Sequence, residues 1–185
     1  MKEEYFKQVR KSNTKVGEKY FFTATINKWQ TLLLEEKYKQ IVIGSLKYLS
    51  NAGLIDVLAF VIMPNHLHLI WRIKGENGGE SVQGSFVKYT AHEFKKILKN
   101  EPNRLEQYKV NASNKKYEFW QRDPLSIPLY SKDVIIQKLN YIHNNPLAKH
   151  WQLAVEPSGY KYSSARYYEL GIKDFDFVKD IRDDL

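Results

Sequence analysis

The stretch Leu58–Ile73, LAFVIMPNHLHLIWRI, decides how the rest of the chain is read. It opens and closes as apolar strand, and Met63, Pro64 and Asn65 break it with a turn. In an extended strand, residues two apart leave the same face. With Leu67–Arg72 extended, His66 and His68 leave one face of a sheet, and Leu67, Leu69 and Trp71 leave the other. Two of the chain's five histidines are thus presented together beside a sharp turn. Such a pair can hold one divalent metal ion. It can equally be two half-buried imidazoles, each satisfied by a hydrogen bond, and an isolated His-x-His does not choose between them.

Outward from this stretch, Ile55–Met63 and His66–Ile73 read as the second and third strands of a tight hairpin. Upstream, the aromatic and β-branched Tyr20–Ile26 (YFFTATI) reads as the first strand. Between them, Thr31–Leu49 carries apolar residues at helical spacing, with Thr31 as the expected N-cap and Asn51-Ala52-Gly53 as the stop. Downstream, the four glycines of Gly75–Gly84 read as a flexible loop, and Ser85–Leu98 as a helix with interleaved lysines. Glu101–Lys116 has no periodicity and is expected to be loop or disordered. Tyr117–Gln121 is expected as a short fourth strand with an irregular lead-out over Arg122–Pro128. Lys132–Asn144 is a helix with Ile135, Leu139 and Ile142 as its buried stripe, ended by Pro146. Leu147–Leu170 reads as an ordered wrap ending in a short helix after Ser163-Ser164. The acidic end, Asp174–Leu185, reads as a helix from Phe175, and Met1–Lys19 as a basic arm.

This order predicts an α+β fold: a ferredoxin-like antiparallel sheet with helices packed on one face, plus a C-terminal extension. The 185 residues form a single domain, with a core over about 20–147 and the extension over 148–185. Without cysteine, disulfides and thiolate metal sites are excluded. No basic, then apolar, leader opens the sequence, so no secretory signal is expected, and no apolar run is long enough to span a membrane. A net charge of +8 with 13 tyrosines and 4 tryptophans favours an anionic, stackable partner, which fits nucleic acid. Lys88, Lys95, Lys96 and Arg122 in the middle of the chain, and Lys138 further on, are the candidate DNA contacts.

The second half of a site lies on the last core helix. Tyr141 and Asn145 are four apart and share a face, and Lys138 lies one turn before Tyr141. A tyrosine is a poor nucleophile while it holds its proton. A cation on a phosphodiester changes that problem by withdrawing charge from the phosphoryl oxygens, and Lys138 would ease formation of the phenolate. Chemistry alone does not select Tyr141 from 13 tyrosines, and an aromatic at a helix–sheet seam is an ordinary core feature.

Four segments together select it. VIMPNHLHLIW at Val61–Trp71, FWQRD at Phe119–Asp123, YIHNNP at Tyr141–Pro146 and EPSGYKYSS at Glu156–Ser164 resemble, in order and spacing, the IS200-like, REP-associated tyrosine transposases of the HUH single-strand endonucleases. The resemblance spans Tyr20 to Tyr168. It implies that His66 and His68 bind a divalent ion, Mg²⁺ or Mn²⁺, that Asn145 completes the site, and that Tyr141 is the nucleophile. Some relatives have Gln at the Asn145 position, and both offer a carbonyl oxygen. It further implies cleavage and rejoining of single-stranded DNA at hairpins through a 5′-phosphotyrosine. The partners are then single-stranded or hairpin DNA and a second copy of the chain, with a monomer left open, in the bacterial cytoplasm. Two alternatives stand beside this: a hairpin-binding protein whose chemistry is weak or lost, and a metal hydrolase acting on a small molecule. The basic, aromatic-rich composition and lack of further clustered carboxylates disfavour the second.

Overall fold

The computed structural model describes residues 14–184. Most of the basic arm read at Met1–Lys19 lies outside the described residues, as does Leu185. Four strands form one antiparallel sheet: β1 (Lys19–Thr25), β2 (Ile55–Ile62), β3 (His66–Ile73) and, fourth in this sheet, β6 (Leu125–Pro128), in the order β2-β3-β1-β6. A helix, α1 (Glu36–Asn51), joins β1 to β2, and a second, α2 (Val82–Leu98), follows β3. This is the ferredoxin-like order expected of a split βαβ pair.

The pleat assigns each side chain to a face. On the β1–β3 ladder, Phe22 lies opposite Leu69 and Tyr20 opposite Trp71, while Thr23 lies opposite His68 and Thr25 opposite His66. The first set forms the core with α2: Phe22 packs at 4.9 Å from Trp71, and both meet Phe86. The second set faces α4 (Lys132–Asn144), whose Tyr141 ring lies 5.0 Å from that of His68. Both faces of the sheet are therefore covered: α1 and α2 make the layer expected from the sequence, and α4 lies across from them. This explains why every residue of β2 is buried and why its sequence runs apolar instead of alternating.

Four local expectations are corrected. Thr31 does not cap a long helix; Leu32–Leu34 forms a separate 3-10 turn, and α1 begins at Glu36 with no side-chain cap. Helix α2 starts three residues earlier than read, because the Ser81 hydroxyl accepts from the Gly84 amide and caps it there. The segment 101–116 is ordered: α3 (Pro102–Glu106) leads into a hairpin of β4 (Lys109–Ala112) and β5 (Lys115–Tyr117). It is fixed by buried Leu105 and Tyr108, the latter 4.9 Å from Phe119, contacts that periodicity does not reveal. Accordingly, the fourth strand of the main sheet is β6, not Tyr117–Gln121; a proline at its end is tolerated on a sheet edge.

The C-terminal segment adds to the outer edge of β2. Ser163 bridges Val61 antiparallel and Val178 bridges Val57 in parallel. The Tyr160 hydroxyl donates to the Ile62 carbonyl at 2.8 Å, and that of Tyr168 to the Leu58 carbonyl at 2.7 Å, at the bulge between Val57 and Ala59. The short helix after Ser163-Ser164 is α5 (Ala165–Leu170), as expected. No helix begins at Phe175; a 3-10 turn forms only at Ile181–Asp184. Buried Asp56 meets Lys179 at 2.6 Å and Arg72 at 3.4 Å, tying the end of the chain to the hairpin.

Candidate active site

Each element delivers one part of the site. The turn after β2 closes with the Met63 amide donating to the His66 carbonyl at 2.8 Å, which starts β3 at His66. His66 and His68 then leave the same face with ring centroids 4.7 Å apart. Helix α4 is set by Ser131, whose hydroxyl accepts from the Val134 amide, and by Ile135 and Ile142, buried against the sheet. The stripe next to those two carries Lys138, Tyr141 and Asn145. Pro146 has no amide hydrogen, so α4 ends there and passes into a 3-10 turn with Asn145 at its boundary.

Tyr141 is 48% exposed, and its hydroxyl lies 3.4 Å from His68 Nε2. Phe21 stacks on His68 at 5.3 Å and holds its ring from the other side. The Lys138 ammonium sits 4.7 Å above the Phe21 ring and 5.8 Å from that of Tyr141. His66, His68, Tyr141 and Asn145 line a cavity of about 330 Å³ with Trp29 and Trp151 in its walls.

The histidines are oriented from behind. The Asn65 amide nitrogen donates to the Trp29 carbonyl at 3.4 Å, which turns its oxygen toward His66 Nδ1 at 2.6 Å. Nδ1 must then carry the proton, and Nε2 is left with a free lone pair. The Thr23 hydroxyl lies 2.8 Å from His68 Nδ1 and holds that ring from the neighbouring strand. Burial pushes His66 down to about 4; contact with Asn145 opposes this, and the charge of His150 adds to it. Burial likewise pushes His68 down to about 3, helped by the nearby charges of His66 and Lys138. Both imidazoles are therefore neutral at ordinary pH, the state a metal ligand needs. The Asn145 carbonyl oxygen is buried and, beyond its contact with His66, has no hydrogen-bond partner, a costly state for a polar atom. Two neutral imidazoles and one carbonyl oxygen are donors that could hold a divalent metal ion. No cluster of three or more His, Cys, Asp or Glu occurs among the described residues, and Asn145 is the amide side chain that lines the cavity with the two histidines.

The structure thus brings together His66, His68, Lys138, Tyr141 and Asn145. It does not bring the other basic candidates to them. Lys88 stands on α2, on the other side of the sheet, 3.6 Å from Glu80. Lys96 pairs with Glu93, Lys95 lies over the Tyr117 ring, and Arg122 meets Glu118 at 3.2 Å. His143 is buried against the Ser164 hydroxyl at 2.9 Å, away from the cavity. Thr23 and the cavity positions of Trp29, His150 and Trp151 went unrecognised. For Thr23 a signal existed: in YFFTATI, Thr23 and Thr25 alternate on one face, and antiparallel pairing with β3 sets them opposite the histidines.

No family model and no curated protein sequence matches this chain. Among solved structures it is similar, at a TM-score of 0.42 and 13% identity over 71% of this chain and 93% of the other, to a protein of Deinococcus radiodurans R1 described as a candidate transposase. It is also similar to a REP-associated tyrosine transposase bound to a REP hairpin, at a TM-score of 0.60 and 20% identity over 90% of this chain and 88% of that one. With nine-tenths of the chain covered by this second likeness, the chain has the fold of a REP-associated tyrosine transposase.

Proposed function

We propose that this chain is an IS200-like, REP-associated tyrosine transposase: an endonuclease and strand transferase for single-stranded DNA beside hairpins. The observation that carries the reading is the meeting of the Tyr141 hydroxyl with His66, His68 and Asn145, from two separate elements, in one open cavity.

The chemistry is transesterification at phosphorus. The Tyr141 oxygen attacks the phosphodiester, the bond from phosphorus to O3′ breaks, and O3′ leaves and takes up a proton. The products are a 5′-phosphotyrosine and a free 3′-OH. In reverse, a 3′-OH attacks, the bond from phosphorus to the tyrosine oxygen breaks, and the phenol regains its proton. One phosphodiester is exchanged for another, so rejoining requires no nucleotide cofactor. His66 Nε2, His68 Nε2 and the Asn145 carbonyl oxygen would hold Mg²⁺ or Mn²⁺, which when bound supplies positive charge to the phosphoryl oxygens and to the leaving O3′. Lys138 places a positive charge beside the tyrosine ring, where it can meet the phosphate that Tyr141 attacks. Lys88, Lys95, Lys96 and Arg122 do not line the cavity and would meet DNA only outside the reaction centre.

The test is to incubate the protein with Mn²⁺ and an end-labelled hairpin pool carrying random single-stranded flanks, denature it, and map the cross-linked peptide by mass spectrometry. Tyr141 should carry the adduct. Tyr141→Phe should fold, bind hairpin and form none. An adduct on another tyrosine, or an undiminished adduct with the Phe variant, refutes the assignment. Hairpin binding by the wild type with no adduct would favour a hairpin-binding protein without cleavage.

A further inference from the structure

The cavity in front of Tyr141 holds two indoles to which the transesterification gives no task. Trp29 comes from the turn after β1 and Trp151 from the turn after α4. The other two tryptophans, Trp71 and Trp120, are core residues at 0% and 3% exposure, whereas Trp29 is 62% exposed. Its backbone is also unusual: Lys28 and Trp29 have φ of 56° and 57°, the left-handed region that a bulky side chain rarely enters. The chain keeps Trp29 there by an amide bond to the Ile26 carbonyl at 2.9 Å and by the Asn65 bond to its own carbonyl. The residue that orients His66 therefore also pins Trp29.

A fold that accepts backbone strain to leave a large indole in water, beside a reactive phenol, is built for a ligand with a flat π face. Trp151 supplies a second such surface. It is half-buried, held by its amide to the Ala148 carbonyl at 2.7 Å, and its ring centroid is 6.1 Å from that of His66. The cavity, at about 330 Å³, is near the lower end for small-molecule sites and suits one nucleotide rather than a stack. A base within a duplex is already stacked and paired and cannot enter; a base in a single strand can.

We propose that Trp29 and Trp151 stack on a base of the single strand flanking the scissile phosphate, and so position that phosphate over Tyr141. The proposal rests on the transesterification reading and names the part of the substrate the cavity holds.

The probe is a DNA hairpin with a thymine-only single-stranded flank, set against the same hairpin with an abasic flank. Intrinsic tryptophan fluorescence follows binding, and the Tyr141 adduct is followed separately with Mn²⁺. Wild type should prefer the thymine flank about tenfold, from the usual contribution of one base stacked on an aromatic ring, with quenching by the thymine flank only. Trp29→Ala should lose most of that preference and of the quenching, while affinity for the abasic flank stays unchanged. Trp29→Phe, which keeps a ring, should recover part of it. Trp29 is exposed, so its replacement leaves the core intact; Trp151→Ala is the second variant. Equal wild-type affinity for the two flanks, or a preference undiminished in both alanine variants, overturns the proposal. Base preference without any adduct would strike the cleavage reading and leave the stacking site standing. An adduct formed without base preference would do the reverse.

Discussion

Replacing Asn65 with alanine should weaken Mn²⁺ binding at the histidine pair without unfolding the hairpin that carries it. Asn65 and His66 are both buried, and the amide oxygen accepts from His66 Nδ1 at 2.6 Å. With the amide gone, the imidazole has two options. It can keep its proton on Nδ1, leaving a buried donor unsatisfied at a cost of about 1–3 kcal/mol. Or it can move the proton to Nε2, which then cannot ligate. In the second case, binding must first restore the unfavourable tautomer with the proton on Nδ1. A cost of this size corresponds to a roughly 5- to 150-fold loss of metal affinity, which brackets the loss usually seen when a ligand's outer hydrogen-bond partner is removed. The backbone bonds of the turn are untouched, including the Ile26 amide to the Asn65 carbonyl at 2.8 Å. Calorimetric titration with Mn²⁺ measures the loss, with the thermal midpoint as folding control and the double variant His66→Ala, His68→Ala as the zero-binding reference. Wild-type affinity in folded Asn65→Ala would refute the tautomer argument. Wild-type affinity in the double histidine variant would remove the site altogether.

Metal-free protein should lose stability as the pH falls. His66, His68 and His143 are held neutral by burial, with folded values of about 4, 3 and 4, so an unfolded chain takes up protons near pH 6.5 that the folded chain refuses. The stabilisation is fully present above that pH and is lost on the way down to the folded values, at about 1.4 kcal/mol per histidine per pH unit. Urea midpoints at pH 7, 6 and 5 should fall in sequence, and His143→Gln should flatten the slope; an unchanged slope would contradict the assignment. A hairpin with a single-stranded flank should bind more tightly than blunt duplex, with log affinity falling linearly in log salt by about 0.7–0.9 per phosphate contacted. Equal affinities across the salt series would count against single-strand recognition.

The parts legible in the sequence were those governed by local periodicity. His66–Ile73 and Lys132–Asn144 occupy the structural positions that alternation and helical spacing assign them. The ferredoxin-like order followed from them. What escaped was fixed by contacts remote in sequence. Leu105 and Tyr108 order a polar stretch because Phe119 receives them, and β6 forms because β1 offers it an edge. At the site, the histidine pair, Tyr141 and Asn145 could be found from spacing and resemblance. Their supports could not: Thr23 acts across a strand pair, and Asn65 acts through the carbonyl of Trp29, 36 residues away. The basic residues of α2 were singled out for charge, and charge alone says nothing about which side of a sheet a helix will cover.

The C-terminal segment also sets a timetable. The edge of β2 is completed by residues that leave the ribosome long after it, and the bond from Tyr168 to the Leu58 carbonyl spans 110 positions. Pairings between such distant residues are closed late, because the loop entropy is lost before the contact repays it. During synthesis the hairpin that carries His66 and His68 therefore has an open flank of unpaired amides and carbonyls, the form of strand most prone to pairing with another chain. Residues 160–178 act as a built-in guard for that flank, so a ribosome that stalls short of residue 160 releases a sheet ready to stick.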